Sequence, residues 1–341
     1  MRTLTPLLAT ALLIACAAPA AAEAAELLLV VNKSAHNVGV LDLATGKTLA
    51  TVPTGHGPHE IAVSPDGSLA LATNYGDRGK PGSTLTVIDV AKRSAVRTID
   101  LGAHRRPHGV TFFPDGRRAA VTTEDSRRLL VVEVVSGKVE RAIETAQDVS
   151  HMVALAPDAK RAYVANIGSG SLTVIDLQAG KVVKQVATGE GAEGVAVTPD
   201  GREIWVSNRA ANTVSVVDAK ALEVVATLPS PGFPIRAVLT PDGRHALVSN
   251  ARSAELAIFD VKARKELKRL KLLEDEKGMV SQLFGAGSFP VGIAVSPDGR
   301  RAFVAITGGD RIAVVDTKTW TVSGYWEAGD EPDGMAVAGA R

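Results

Sequence analysis

Short apolar runs recur along the chain, each closed by a polar residue: "LLLVVN" ends at Asn32, "VGVLD" at Asp42 and "LALATN" at Asn74. They are rich in Val, Ile and Ala and are separated by tight turns, which predicts short β-strands throughout. The turns are as regular as the strands. Pro-Asp-Gly begins at Pro65, Pro114, Pro199, Pro241 and Pro297, with Pro-Asp-Ala at Pro157, and the regular spacing is 42 or 43 residues.

Each repeat keeps one internal frame. Nine residues after the proline a strand ends, at Asn74, Thr123, Asn166, Asn208, Asn250 and Ile306, and Asn32 fits the same frame. Ten residues further on a third strand usually ends in an acid, at Asp42, Glu133, Asp176, Asp218, Asp260 and Asp316, with Asp89 after a longer gap. A fourth strand follows a turn such as "LATGK". Four strands in 40 to 45 residues is the period of a propeller blade. First strands open at Pro58, Pro107, Ser150, Ala192, Pro234, Pro290 and Pro332, which makes seven. The last of them, "PDGMAV", has no later strands after it, whereas the N-terminal part supplies three strands with no first. The two ends are therefore expected to share a blade, which leaves no unpaired sheet edge. The prediction is an all-β fold, one seven-bladed β-propeller over residues 26–338.

The stretch "AYVANIGSGSLTVIDLQAGKVV", residues 162–183, resembles the YVTN repeat, and the whole body of the chain is similar to the exported YncE-like propellers. The resemblance covers all seven units and implies the fold. For function it implies a range: DNA-binding, surface-layer and periplasmic propellers, with lactonases and lyases among related architectures.

Strand parity separates two faces. The Ser-Pro-Asp-Gly turns join first to second strands on one face and read as structural, with Pro fixing φ at the second position. Every length change falls on the other face: "NYGDRGKPGST" at 74–84, the residues before Pro107, and the connection 271–289. That variability marks the working face. First strands line the central channel, so their second residues form a ring: His59, His108, His151, Glu193, Ile235, Val291 and Asp333. Three imidazoles and a carboxylate, His59, His108, His151 and Glu193, are a ligand set suited to Zn, Fe or Cu, able to activate water or polarise a carbonyl. The bland alternative is a histidine that caps a carbonyl at a strand entrance. Asn74, Tyr75, Arg78, Arg106, Glu124, Arg209 and Arg252 lie on the same face as candidate ligand-binding residues, although the repeated asparagines also suit a structural role. Residues 271–289 join an acidic run to Met279, Leu283, Phe284 and Phe289, as a flap over the channel mouth would.

Composition changes this picture little. In 341 residues, 45% hydrophobic and 22% charged, a formal charge of +1 offers no global attraction to polyanions, and 4% aromatics offer little for stacking bases. Nucleic acid therefore gains no independent support as a partner. The expected partner is a small molecule or an envelope protein, and the expected state a monomer. Residues 1–22, basic at Arg2 and then apolar, read as a secretory signal, which places the protein in the periplasm or otherwise outside the cytoplasm. "LIAC" at 13–16 resembles a lipobox, which would instead leave a lipid on Cys16 as the one membrane attachment. Because Cys16 is the only cysteine, the body has no disulfide and no thiolate ligand. No phosphate loop, nucleophile elbow or haem-attachment motif occurs. Two functions remain: a ligand- or protein-binding module of the envelope, and a metal-dependent hydrolase or lyase.

Overall fold

The computed structural model describes residues 26–273 and 287–339. The leader reading, Cys16 and most of the flap at 271–289 lie outside the described residues. The rest is 28 strands in seven four-stranded antiparallel sheets. In six sheets the strands follow chain order. The seventh places β28 (Pro332–Ala338) against β1 (Leu27–Asn32), with Leu27 opposite Ala338 and Val30 opposite Met335. Both chain ends thus build one blade, as the missing strands at each end require.

The innermost strands are β4 (Pro58–Val63), β8 (Pro107–Phe112), β12 (Ser150–Leu155), β16 (Ala192–Val197), β20 (Pro234–Leu239), β24 (Phe289–Val295) and β28. Each touches the next, and β28 touches β4, so the ring is unbroken. Apolar side chains of facing sheets fill the space between blades; Leu71 and Leu85 of one blade, for example, pack with Val121 and Leu130 of the next.

A local irregularity decides where the ring residues point. In every blade the pairing of first with second strand slips after the first residue: Pro58 faces Asn74, yet Ile61 faces Ala72. The same slip recurs at Pro107, Ser150, Ala192, Pro234 and Pro290. The second and third residues bulge out of the ladder toward the axis, which leaves the third residue's N–H to be satisfied elsewhere. A hydroxyl on the second strand accepts it. Thr73 takes Glu60 N–H at 3.0 Å, Thr122 takes Gly109 at 2.8 Å, Ser207 takes Gly194 at 2.9 Å and Ser249 takes Arg236 at 3.2 Å. Three of these hydroxyls also donate to the next blade's ring residue: Thr122 to the His151 carbonyl, Ser207 to Ile235 at 2.8 Å and Ser249 to Val291 at 2.7 Å. One side chain therefore fixes the bulge and spaces the neighbouring blade.

Glycine sets that spacing. A Cβ on Gly109 would stand 2.7 Å from the His151 carbonyl, on Gly194 2.6 Å from that of Ile235, and on Gly334 2.5 Å from that of His59. The channel is closed further by charge. Arg236, 5% exposed, reaches across the axis to Glu60, with Asp333 3.7 Å away.

The Pro-Asp-Gly turns behave as the sequence predicts. Asp66 accepts from the Ser64 hydroxyl at 2.5 Å, and Asp200, Asp242 and Asp298 accept from Thr198, Thr240 and Ser296 at 2.6 Å. Grooves of about 630 and 730 Å³ lie between such turns, lined by Asp200, Asp242 and Arg244 or by Asp158, Asp200 and Lys220. Their carboxylates are committed to holding turns, and both grooves lie on the turn face, opposite the strand entrances that carry His59, His108 and His151.

Candidate functional site

Three consecutive blades deliver imidazoles to one mouth of the channel. His108 and His151 overlap with ring centroids 3.6 Å apart, and His59 meets His108 at 5.1 Å. Tyr75 stacks on His59 at 4.4 Å. Tyr75 is brought there by an elongated hairpin, β5 (Leu69–Asp77) and β6 (Lys80–Asp89). The extra residues of 74–84, expected as a longer loop, are strand instead: Gly76 pairs with Pro81 and Asp77 with Lys80. The Arg106 guanidinium also lies over the Tyr75 ring, 4.8 Å from its centre.

Two carboxylates flank His151. Glu124 Oε1 stands 2.6 Å from Nδ1 and Glu193 Oε1 3.4 Å from Nε2. Glu124 also accepts from the Tyr75 hydroxyl at 2.5 Å, and Glu193 from Arg209 at 2.9 Å. Burial alone would lower the His151 pKa, but the hydrogen bonds to Glu124 and Glu193 outweigh it and push it up to about 9. Burial likewise opposes the charge on Glu124, yet the bonds from His151 and Tyr75 hold its carboxyl below the usual range. The Tyr75 phenol is raised by burial and by the Glu124 charge.

The other two imidazoles are kept neutral. Burial, then the charges of His151 and His59, hold His108 well below the ordinary histidine value. His59 is lowered by burial against the pull of Asp333, and its Nδ1 lies 2.9 Å from the Gly57 carbonyl, so the proton belongs on Nδ1 and Nε2 is the lone-pair nitrogen. His108 is 2% exposed and its Nδ1 has no hydrogen-bond partner among the described residues.

The atoms able to bind a metal on His108, Glu124 and His151 lie within 4.8 Å of one another. Ligands about 2.1 Å from a zinc ion stand ~3.4 Å apart in a tetrahedron, so the set closes on an ion when the stacked His108 and His151 rings turn to bring their lone pairs together. This group differs from the ring set of His59, His108, His151 and Glu193. Glu124 replaces Glu193, because the second-to-third-strand turn of its blade leans over the mouth, while Glu193 is engaged by Arg209. His59 stays at the edge, turned toward Tyr75.

The remaining candidates scatter. Asn74 is buried, and its amide accepts from Gly55 at 3.0 Å and donates to Thr84 and Thr86, which assigns it to the strand entrance and leaves it nothing for a ligand. Arg78 is exposed at the hairpin tip. Arg209 and Arg252 lie over Phe233, at 5.4 and 4.2 Å. Beyond them the ring turns apolar, with Phe233, Ile235 and Val291 in one cluster.

Comparison with known proteins places these observations in a family. A family model described as the cytochrome D1 heme domain matches residues 118–339, and one described as a YNCE-like beta-propeller matches residues 14–118. No curated protein matches. Among solved structures, hydrazine synthase from Kuenenia stuttgartiensis superposes with a TM-score of 0.70 at 20% identity, over 82% of this chain and 88% of the other. A protein of unknown function from Desulfotomaculum acetoxidans DSM 771 superposes with a TM-score of 0.75 at 16% identity, over 92% and 99%. At such identities the likeness is one of fold.

The family description carries a haem, and the residues in this ring do not fit one. A macrocycle needs a flat slot beside an axial ligand, but His108 and His151 fill that space by stacking on each other. Below them, carbonyls of neighbouring strands crowd Gly109, Gly194 and Gly334, and Arg236 spans the axis.

Proposed function

We propose, for a chain that belongs to the cytochrome D1 heme domain family of β-propellers and is YncE-like in its first part, a binding function at the histidine face whose ligand is a divalent transition-metal ion. One observation carries the reading: buried imidazoles and a carboxylate converge within 4.8 Å, and His108, fully enclosed, keeps a ring nitrogen without a partner. An unsatisfied buried nitrogen costs about 1–3 kcal/mol, which a coordinated ion would offset. Imidazole with carboxylate suits Zn²⁺, Fe²⁺ or Cu²⁺ rather than Mg²⁺ or Ca²⁺. His108, Glu124 and His151 are the ligands, His59 and Tyr75 wall the site, and Glu193 with Arg209 orients His151 as an outer partner does.

An ion taking one nitrogen of His151 displaces the proton that now joins it to the carboxylates. Metal binding is then accompanied by proton release. The protein acts outside the cytoplasm, as a monomer, and an envelope protein or small molecule that meets this face would sense the ion through the Tyr75 and Arg106 surface.

The test is cobalt titration of metal-free protein, followed by visible absorption. A strong tetrahedral band that accounts for one of the Co²⁺ equivalents bound, lost in His108→Ala and in Glu124→Gln, is the expected result. Saturation that is identical in both variants would remove the site. Ester or lactone turnover by the loaded protein would move the reading from binding to hydrolysis.

A further inference from the structure

A second cluster of ligating groups stands on the same face, and neither the ring frame nor the site above uses it. His36 lies in the turn between β1 and β2 (Asn37–Asp42), His56 just before β4, and Asp77 at the end of the long hairpin. The two imidazole centroids are 4.7 Å apart, and Asp77 Oδ2 is 3.4 Å from His56 Nδ1. The ligating atoms of all three lie within 4.8 Å of one another.

We propose that His36, His56 and Asp77 form a solvent-facing site for a divalent ion of the Zn²⁺, Cu²⁺ or Ni²⁺ type, distinct from the buried group. Three separate segments must be held together for it, and each is pinned by backbone. His36 adopts φ 53°, and its Nδ1 lies 3.1 Å from both the Lys33 carbonyl and the Gly57 amide nitrogen. The His56 carbonyl accepts from Gly76 N–H at 2.9 Å, which ties the histidine to the hairpin that bears Asp77. Ligand ordering is thereby settled before an ion arrives, which lowers the entropic cost of binding. As it stands, His36 Nδ1 accepts from Gly57 N–H; an ion at Nε2 requires the ring proton on Nδ1, where it faces the Lys33 carbonyl at 3.1 Å and replaces the Gly57 bond.

Two imidazoles and one carboxylate favour borderline ions over hard ones. The side chains of His56 and Asp77 are 60% and 53% exposed, so water fills the remaining coordination positions and the ion exchanges readily. The guanidinium of Arg106, 3.4 Å from the Asp77 carbonyl oxygen, tempers the affinity. Gly57 joins this site to the buried one: its N–H meets His36 and its carbonyl meets His59 and Tyr75 N–H.

The experiment counts Co²⁺ ions by calorimetric titration of the metal-free chain and of His56→Ala, Asp77→Asn and His108→Ala. Both surface substitutions alter exposed groups, and unchanged melting temperatures would confirm that they leave the fold intact. Loss of one equivalent in His56→Ala, and at least tenfold weaker binding of that equivalent in Asp77→Asn, is expected. Native stoichiometry and affinity in both would overturn the site. The two readings separate cleanly: an equivalent lost in His56→Ala but none in His108→Ala supports the exposed site and refutes the buried one.

Discussion

Replacing Arg236 with Met tests how the ring is closed. Arg236 on β20 reaches Glu60 on β4 and lies 3.7 Å from Asp333 on β28, so one guanidinium holds together strands from opposite sides of the axis. All three side chains are less than a tenth exposed. Burial lowers the Arg236 pKa, with Asp333 opposing; the guanidinium stays charged, and its carboxylate partners offset the cost of enclosing it. Methionine keeps much of the side-chain volume but leaves two buried carboxylates without a counter-ion. Breaking a buried pair in this way costs about 3–5 kcal/mol. With a guanidinium m-value of about 6 kcal/mol/M, the unfolding midpoint should fall by roughly 0.5–0.8 M. The assay is equilibrium unfolding followed by tryptophan fluorescence, for which the fully buried Trp205 is a natural reporter. Removing all three charges, as Glu60→Gln, Arg236→Met and Asp333→Asn together, should recover most of the loss, because neutral side chains need no counter-ion. A single-variant shift below about 0.2 M would refute the reasoning, since it would mean that the three groups are hydrated rather than enclosed.

Stability should depend on pH in a direction fixed by the histidines. The His151 contribution is fully present below about 6.5 and is lost as pH rises toward about 9, and a rise of that size corresponds to about 3 kcal/mol. His59 and His108, both lowered, work in the opposite sense: their contribution is present above about 6.5 and is lost as pH falls below it. Urea unfolding across pH 5–9 should therefore show a maximum near the ordinary histidine value, and a flat profile would contradict the buried charges assigned here. Gly194→Ala, whose Cβ would meet the Ile235 carbonyl at 2.6 Å, should lower stability by about 1–3 kcal/mol, and an unchanged melting temperature would show that the blades can spread. Ser207→Val, which removes both the acceptor for Gly194 N–H and the donor to Ile235, should cost about 1–3 kcal/mol, read by the same melting experiment.

The fold was legible because its signals repeat. Pro-Asp-Gly, the Asn closing the second strand and the acid closing the third each mark the same place in successive blades, so one reading of the frame serves for all. That frame also placed His59, His108 and His151 at one level of the channel. What it missed involves residues that break the repeat. Glu124 occupies a turn position that is Tyr75 in the preceding blade and Ile167 in the next, so no frame marks it as facing His151. Asp77 reaches the outer cluster only because the hairpin continues as strand, which polar residues and glycines did not suggest. Asp333 was already marked by the ring position, and its partners Glu60 and Arg236 could have been found: they share the third position of their first strands, where the other blades carry Gly109, Met152, Gly194, Gly292 and Gly334. The hydroxyl before the strand-closing Asn, at Thr73, Ser207 and Ser249, was a readable sign of the bulge as well.

The most direct measurement of the central claim is the metal content of protein purified without a metal-affinity step, beside a His108→Ala, Glu124→Gln double variant prepared identically. The account predicts near-stoichiometric zinc, iron or copper that depends on those two side chains, over any ion held at His36, His56 and Asp77. Equal metal in both preparations, or none in either, would contradict it and leave the stacked histidines as lining of a closed channel.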